Sequence, residues 1–147
     1  MIAAIGNALI DIEYKVDAAT FAELGLSAGS MTLVSSEEQQ GIIGTKLVAN
    51  QFQCFSGGSA ANSIALIKQL GCPSKFLGSI GEDDNGTHYE SNLTSNDCKP
   101  YLVRKPVSTG ACVVLVTPDA QRTMLTALGA SSLLCPEDMP AEFLEGA

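Results

Sequence analysis

The stretch that most constrains this chain is Phe55-Ser56-Gly57-Gly58-Ser59-Ala60-Ala61-Asn62, together with the apolar residues that follow it. Ile64, Ile67 and Leu70, flanked by Ala60, Ala61 and Ala65, repeat at helical spacing, and Gly71 follows them where a helix C-terminal glycine belongs. Residues 51–55 mix aromatic and polar types and read as a strand. A strand must therefore pass into a helix across Gly57-Gly58. Residues without a Cβ can take positive φ or let the backbone press close to a ligand. Ser59 reads as the N-cap, its oxygen accepting from an early helical N–H. The two glycines and the side chains of Ser59 and Asn62 then gather at a helix N-terminus. Unpaired N–H groups and the positive dipole end make that a seat for phosphate or for several hydroxyls. No Lys follows in the Gly-Lys-Ser/Thr manner, so this is not a P-loop, and the Gly-x-Gly-x-x-Gly spacing of a dinucleotide fold is missing. The plain alternative is a tight strand-to-helix turn with a capping Ser.

The other candidate elements place this turn in an α/β chain. Residues 1–5 form a short apolar run ending at Gly6-Asn7, suited to a buried strand of a parallel sheet. Residues 10–17 alternate strictly: Ile10, Ile12, Tyr14 and Val16 face one way, Asp11, Glu13, Lys15 and Asp17 the other. A buried strand passing into a half-exposed one predicts that the chain leaves its main sheet for a smaller one. Residues 18–24 predict a short helix stopped by Gly25. Residues 29–34 predict a strand, and Ser35 or Ser36 caps a helix running to about Leu47. Residues 74–81 read as a second buried strand, which with the helix before it predicts a right-handed β-α-β unit. A loop over 82–86 precedes a polar helix over 87–94, and a turn is expected over 97–100. Residues 101–105 and 110–116 read as strands, and 122–128 returns as a hairpin partner across Thr117-Pro118-Asp119-Ala120. Pro136 and Pro140 each mark a helix start.

Composition narrows the function classes. The net charge is −8, from 8 basic and 16 acidic residues. The basic residues are scattered, which argues against a nucleic-acid or anionic-membrane surface. Five cysteines stand far apart without Cys-x-x-Cys spacing. They read as buried free thiols of a reducing compartment rather than metal ligands or a disulfide framework. The run at 2–5 lacks a basic flank and is too short for a signal sequence, so the cytoplasm is the expected location.

Five motifs in order carry a family resemblance. Gly6-Asn7-Ala8-Leu9-Ile10-Asp11 resembles the opening motif of the PfkB, or ribokinase-like, carbohydrate and nucleoside kinases. Gly57-Gly58-Ser59-Ala60-Ala61-Asn62 resembles their di-glycine substrate motif. Gly78-Ser79-Ile80-Gly81-Glu82-Asp83-Asp84-Asn85-Gly86 is similar to their Gly-x-Ile-Gly-x-Asp-x-x-Gly pattern. Thr109-Gly110 ahead of a strand and Arg122-Thr123-Met124 after a hairpin fit as well. The opening and di-glycine motifs together are similar to the adenosine kinase branch, and they also suit sugar kinases.

The resemblance implies an α/β fold, with a ribokinase-like parallel-sheet core and a small β-sheet lid built from strands within 10–17, 31–34 and 101–128. It implies ATP- and Mg²⁺-dependent phosphoryl transfer to a hydroxymethyl group of a sugar or nucleoside. Asn7, Asp11, Gly57, Gly58, Ser59 and Asn62 would bind the acceptor, and Arg122 would offset the charge of the transferring phosphoryl. A carboxylate and two amides suit a vicinal diol. Each residue also has an ordinary use: Asn7 in a turn, Asp11 solvated on a strand, Asn62 at a helix mouth, Arg122 in an exposed ion pair. Asp83 and Asp84 read as loop and cap residues, and His88 as a solvated helix residue.

Family members carry a later Gly-Ala-Gly-Asp segment whose Asp is the catalytic base, and build the adenine site from later residues. No such segment occurs here. The chain is therefore expected to be the N-terminal portion of one ribokinase-like domain, without the catalytic base, binding ATP and Mg²⁺ only weakly and inactive alone. Two other readings compete. One is a non-catalytic sugar- or nucleoside-binding module, or one that pairs into a homodimer through an open lid edge. The other is an unrelated doubly wound domain holding an anion at Gly57-Gly58.

Overall fold

The computed structural model describes residues 1–95 and 98–147. In chain order the strands are β1 (Ile2–Ile5), β2 (Leu9–Lys15), β3 (Met31–Leu33), β4 (Phe52–Gly57), β5 (Ser74–Gly81), β6 (Cys98–Lys105), β7 (Gly110–Val116) and β8 (Arg122–Ala127). The helices are α1 (Ala18–Glu23), α2 (Ser36–Lys46), α3 (Ser59–Gln69) and α4 (Asp84–Ser95), with three short 3-10 turns after residue 128. The chain divides into two compact units. The first holds Met1–Ile10, Ser56–Gly110 and Gly129–Ala147; the second holds Asp11–Phe55 and Ala111–Leu128.

The first unit is built on a parallel sheet in the order β1-β5-β6. Ile2 to Ile5 pair with Ser74 to Leu77, and Ser74 to Gly81 pair with Cys98 to Lys105. Every residue of the central strand β5 is buried, as expected of a strand with neighbours on both edges and cover on both faces. Phe76 packs near Tyr89 of α4, with ring centroids 6.1 Å apart. Ile64 of α3 and Leu93 of α4 complete the buried apolar set beside them. Each such side chain contributes about 1.5–3 kcal/mol of hydrophobic stabilisation. Lys75 is also buried; its Nζ donates to the Glu145 carbonyl at 2.7 Å and lies 5.5 Å from the Phe143 ring centroid.

The second unit is a five-stranded sheet in the order β3-β8-β7-β2-β4. β7 and β8 form the antiparallel hairpin, Val116 opposite Arg122 and Ala111 opposite Ala127. Tyr14, Val16, Leu47, Val113, Leu115 and Leu125 make its buried core, with Phe21, Leu24, Ile42 and Ile43 packed against them. α2 begins at a capping box: the Glu38 N–H donates to Ser35 Oγ and the Ser35 N–H to the Glu38 carboxylate. Buried Gln39 ties two strands together, its Nε2 donating to the carbonyls of Ala111 (3.0 Å) and Leu125 (2.8 Å).

Several expectations hold and others are corrected. The transfer of the chain between sheets after Asn7 is observed, as are α1, α2 and the hairpin, but among the described residues the sheet it enters is the larger of the two, five strands against three, because β4 joins it and β3 pairs with β8. β1 is not buried: it is an edge strand with Ile2 and Ile5 exposed. β4, α3 and β5 do not make a β-α-β unit, because β4 belongs to the five-stranded sheet; the parallel unit is β5-α4-β6. The strand expected in the lid at 101–105 is part of β6 and so lies in the parallel sheet. α4 starts at Asp84, where a loop to Gly86 was expected. Asp97 of the expected turn over 97–100 lies outside the described residues, and β6 already runs from Cys98. The proline-led helix starts are 3-10 turns, Pro136–Asp138 and Ala141–Leu144. All five thiols are free, but only Cys98 and Cys112 are buried.

Candidate functional site

The site in the first unit is assembled by glycines. Gly58 has φ +95°, in the region that L side chains rarely adopt, and a Cβ there would lie 2.3 Å from the carbonyl oxygen of Asn7. A Cβ on Gly6 would lie 2.7 Å from that of Ala60. The Gly6-Asn7 turn and the start of α3 therefore touch through backbone, and only glycine permits the contact. Asn7 and Ser59 are exposed beside this seam, and Gly57 is buried under it.

Ser59 is not the helix cap. Gly58 occupies the N-cap position, and no side chain caps α3. The unusual φ at Gly58 starts the helix one residue early, so Ser59 becomes its first residue and its hydroxyl is released from capping. The amide N–H of Asn62 donates to the Gly58 carbonyl at 2.9 Å, the first helical bond. At the far end, Gly71 at φ +70° closes a Schellman turn: the Cys72 N–H points to Ile67 O and the Gly71 N–H to Lys68 O.

Asn62 is exposed and lines a cleft of about 50 Å³ with Ser56, Tyr89 and Asn92. That is far below the roughly 300 Å³ at which small-molecule sites begin, so the cleft itself is no acceptor pocket. The Ser56 Oγ beside it is buried without a hydrogen-bond partner among the described residues.

Two residues behind the seam escaped the sequence reading. Tyr89, fully buried on α4, donates its hydroxyl to the Gly57 carbonyl at 3.1 Å. Ser131 Oγ donates to the Ala8 carbonyl at 2.9 Å, one residue past Asn7. For Tyr89 a signal existed: with Leu93 it forms an i, i+4 apolar pair on a helix otherwise polar. Ser131 had none.

Asp11 and Arg122 lie in the second unit. Asp11, on β2, is half-buried; burial pushes its carboxyl above the ordinary value, and the Arg122 charge pulls it part of the way back. Arg122, at the start of β8, is exposed and pairs with Glu13 at 3.2 Å. The ion pair that the sequence offered as Arg122's ordinary use is thus present. Among the described residues no three His, Cys, Asp or Glu side chains converge as a metal site. No helix among them is long and apolar enough to cross a membrane.

A parallel α/β unit whose helix opens on a glycine pair, together with a second, five-stranded unit, defines the ribokinase-like class. The chain belongs to the PfkB family: the model of the pfkB family carbohydrate kinases matches residues 1–145. It is 32% identical over 106 residues to the ribokinase of Arabidopsis thaliana, covering 69% of this chain and 28% of that one. It is 27% identical over 131 residues to the adenosine kinase of Schizophyllum commune, covering 86% and 37%. The crystal structure of Anopheles gambiae adenosine kinase in complex with P1,P4-di(adenosine-5) tetraphosphate superposes with a TM-score of 0.87 at 26% identity, covering all of this chain and 46% of that one. A probable sugar kinase from Rhizobium etli gives 0.85 at 25% identity, covering 97% and 43%. The chain thus spans less than half the length of these relatives.

Proposed function

We propose that this chain is the acceptor-binding portion of an ATP-dependent sugar or nucleoside kinase, a cytoplasmic enzyme that moves a phosphoryl group onto a hydroxymethyl group. Asn7, Gly57, Gly58, Ser59 and Asn62 hold acceptor hydroxyls from the first unit. Asp11 offers a carboxylate that accepts from a vicinal diol, and Arg122 offsets charge on the transferring phosphoryl. The observation that carries this reading is Gly58, whose backbone meets that of Asn7 so closely that two motifs fifty residues apart in sequence share one seam. Amides, a free hydroxyl and helix N–H groups there can donate to and accept from a polyol without any fixed charge.

ATP and Mg²⁺ belong to the complete enzyme. ATP supplies the phosphoryl group, and the metal neutralises charge on it. Arg122 apart, the residues of this chain do not fit that group: the Gly-Ala-Gly-Asp segment is missing, and among the described residues no three His, Cys, Asp or Glu side chains converge to hold a metal. What the chain's own residues do is bind and orient the acceptor hydroxyl. The proton that leaves this hydroxyl needs a base that the chain does not contain, so the chain alone binds acceptor without turnover.

A thermal melt of the 147-residue chain against adenosine, inosine, guanosine, ribose, fructose and ATP with Mg²⁺ tests this. One acceptor should raise the midpoint, by an amount equivalent to about 2.7 kcal/mol at a hundred times its Kd. ATP should leave it unchanged. A cooperative melt that no sugar or nucleoside moves defeats the reading.

One observation favours a second reading, self-association through the five-stranded sheet. Its two edge strands expose Met31 and Leu33 on β3, and Phe52 and Phe55 on β4. Exposed apolar edges invite strand pairing with another copy. A sedimentation mass that doubles with concentration in the wild type but not in Phe55→Lys supports it; a monomer at all concentrations rejects it.

A further inference from the structure

Gly78-Ser79-Ile80-Gly81-Glu82-Asp83-Asp84-Asn85-Gly86 has no role in the site described above. Asp83 stands directly before α4, and its Oδ1 accepts the Gly86 N–H at 2.8 Å, as a helix cap does. Capping uses only that bond. Asp83 makes two more, both to a residue 26 positions away: Oδ2 accepts the Thr109 N–H at 2.8 Å, and Oδ1 accepts the Thr109 hydroxyl. Thr109 Oγ1 in turn accepts the Gly81 N–H at 2.9 Å. Thr109 is buried.

The glycines of the motif make room for this clip. A Cβ on Gly81 would lie 2.4 Å from Val107 O and 2.7 Å from Thr109 N. A Cβ on Gly86 would lie 2.5 Å from Gly81 O and 3.0 Å from Thr109 Oγ1. From another direction the Ala130 N–H donates to Ser108 O at 2.8 Å. Residues 107–110 are therefore seated from several sides within the first unit. This is where the chain leaves that unit: β7 starts at Gly110, and Ala111 already belongs to the second.

We propose that Asp83 is a positioning residue for the acceptor residues of the first unit: by gripping Thr109 it fixes residues 107–110, whose Ser108 carbonyl holds the Ala130 N–H next to Ser131, which in turn holds the Ala8 carbonyl beside Asn7. The functional half of this statement rests on the kinase reading above; the grip does not. Asp83→Asn separates the two uses of the side chain. Asn caps a helix as well as Asp, but its single carboxamide oxygen cannot replace two carboxylate oxygens that accept from three donors. Thr109→Ser keeps both partners of the clip, and Thr109→Val removes the hydroxyl.

The test measures hydrogen exchange of the amides at 108–110 and the binding of adenosine and ribose, on wild type, Asp83→Asn, Thr109→Val and Thr109→Ser. Asp83→Asn and Thr109→Val should speed exchange by about ten-fold or more, the loss expected for bonds to a charged acceptor. The same two variants should weaken whichever probe the wild type binds, while Thr109→Ser behaves as wild type. Unchanged exchange in Asp83→Asn overturns the proposal. Faster exchange with unchanged probe binding overturns the positioning role. If Asp83→Asn does not fold, the Thr109→Val and Thr109→Ser pair carries the comparison. A wild type that binds neither probe, nor inosine, guanosine or fructose, defeats the kinase reading, and the exchange arm alone then decides whether Asp83 grips the root of β7.

Discussion

The two units hold their candidate residues by different physics. In the three-stranded unit the seam at Gly58 is made of backbone. A Cβ has no space there, the φ is one that only glycine adopts freely, and the neighbouring carbonyls of Gly57 and Ala8 are fixed by Tyr89 and Ser131. In the five-stranded unit Asp11 and Arg122 are held by charge and partial burial, on side chains that can turn. A site set by backbone shape fails abruptly when an atom is added. A site set by charge changes by degrees, with pH and salt.

The largest expected effect is at that seam. Gly58→Ala should cost about 2–4 kcal/mol, from the strained φ and the overlap with Asn7 O together. The matching control is Gly44→Ala on α2, where a Cβ meets nothing within 4 Å. There alanine should stabilise by about 0.5–1 kcal/mol, because glycine is a poor residue inside a helix. Denaturant midpoints of the two variants check this. Equal midpoints would remove the claim that the seam is limited by backbone contact.

Tyr89→Phe probes the support rather than the seam. It keeps the ring against Phe76 and removes only the hydroxyl that holds the Gly57 carbonyl. The expected loss is about 1 kcal/mol, with weaker acceptor binding as the accompanying sign. A stability loss with no change in acceptor binding would show that Gly57 O does not shape the seat.

Acid should separate the units by sign. Hydrogen-bonded Asp83 lies in the first unit. Burial works to raise its carboxyl, but the Thr109 hydroxyl and N–H, the Gly86 N–H and the Arg104 charge outweigh it and hold it below the ordinary range. Its contribution is full above the unfolded carboxylate value of about 4 and is lost as pH falls through the lower folded value. Asp11 runs the other way. Its folded carboxyl titrates higher than the unfolded one, so the penalty for charging it is relieved as pH falls through that higher value. Stability difference curves, wild type against Asp83→Asn and wild type against Asp11→Asn, should therefore slope in opposite directions, the Asp11 curve above the unfolded carboxylate value of about 4 and the Asp83 curve below it. Parallel slopes would erase the electrostatic contrast between the units.

What the sequence made legible follows the range of the forces involved. The ends of α2 and the C-terminus of α3 are set within a few residues, by Ser35, Glu38 and Gly71, and they stand where the pattern placed them. Strand partners are set by distant residues. β4 and β5 flank a helix and imitate a parallel unit, but nothing within 51–81 says that β4 pairs beside β2. The same holds for β6, whose mixed sequence reads as well for one sheet as for the other. At the site, the two motifs that meet at Gly58 were visible as motifs. The start of α3 lies one residue before the expected position, because Gly58 rather than Gly57 takes the positive φ and becomes the cap, and the pair of glycines does not say which of them will. The hydroxyls of Tyr89 and Ser131 act on carbonyls 32 and 123 residues away, beyond any local pattern.

The smallest effect is the most diagnostic for the charged unit. Arg122 is exposed, and its pair with Glu13 is of a kind worth about 0–1 kcal/mol, so Arg122→Ala should leave stability nearly unchanged. Its charge nevertheless reaches Asp11, where it opposes the effect of burial. Removing it should move the Asp11 carboxyl further up, while Asp83, in the other unit, stays where it is. A carboxyl-resolved NMR titration of wild type and Arg122→Ala reads both groups in one experiment. An upward move confined to Asp11 would mean that Arg122 acts on this unit through charge rather than packing, as a residue facing a transferring phosphoryl must. If Asp11 does not move, the two side chains are not electrostatically coupled, and Arg122 loses its claim to a place at the site.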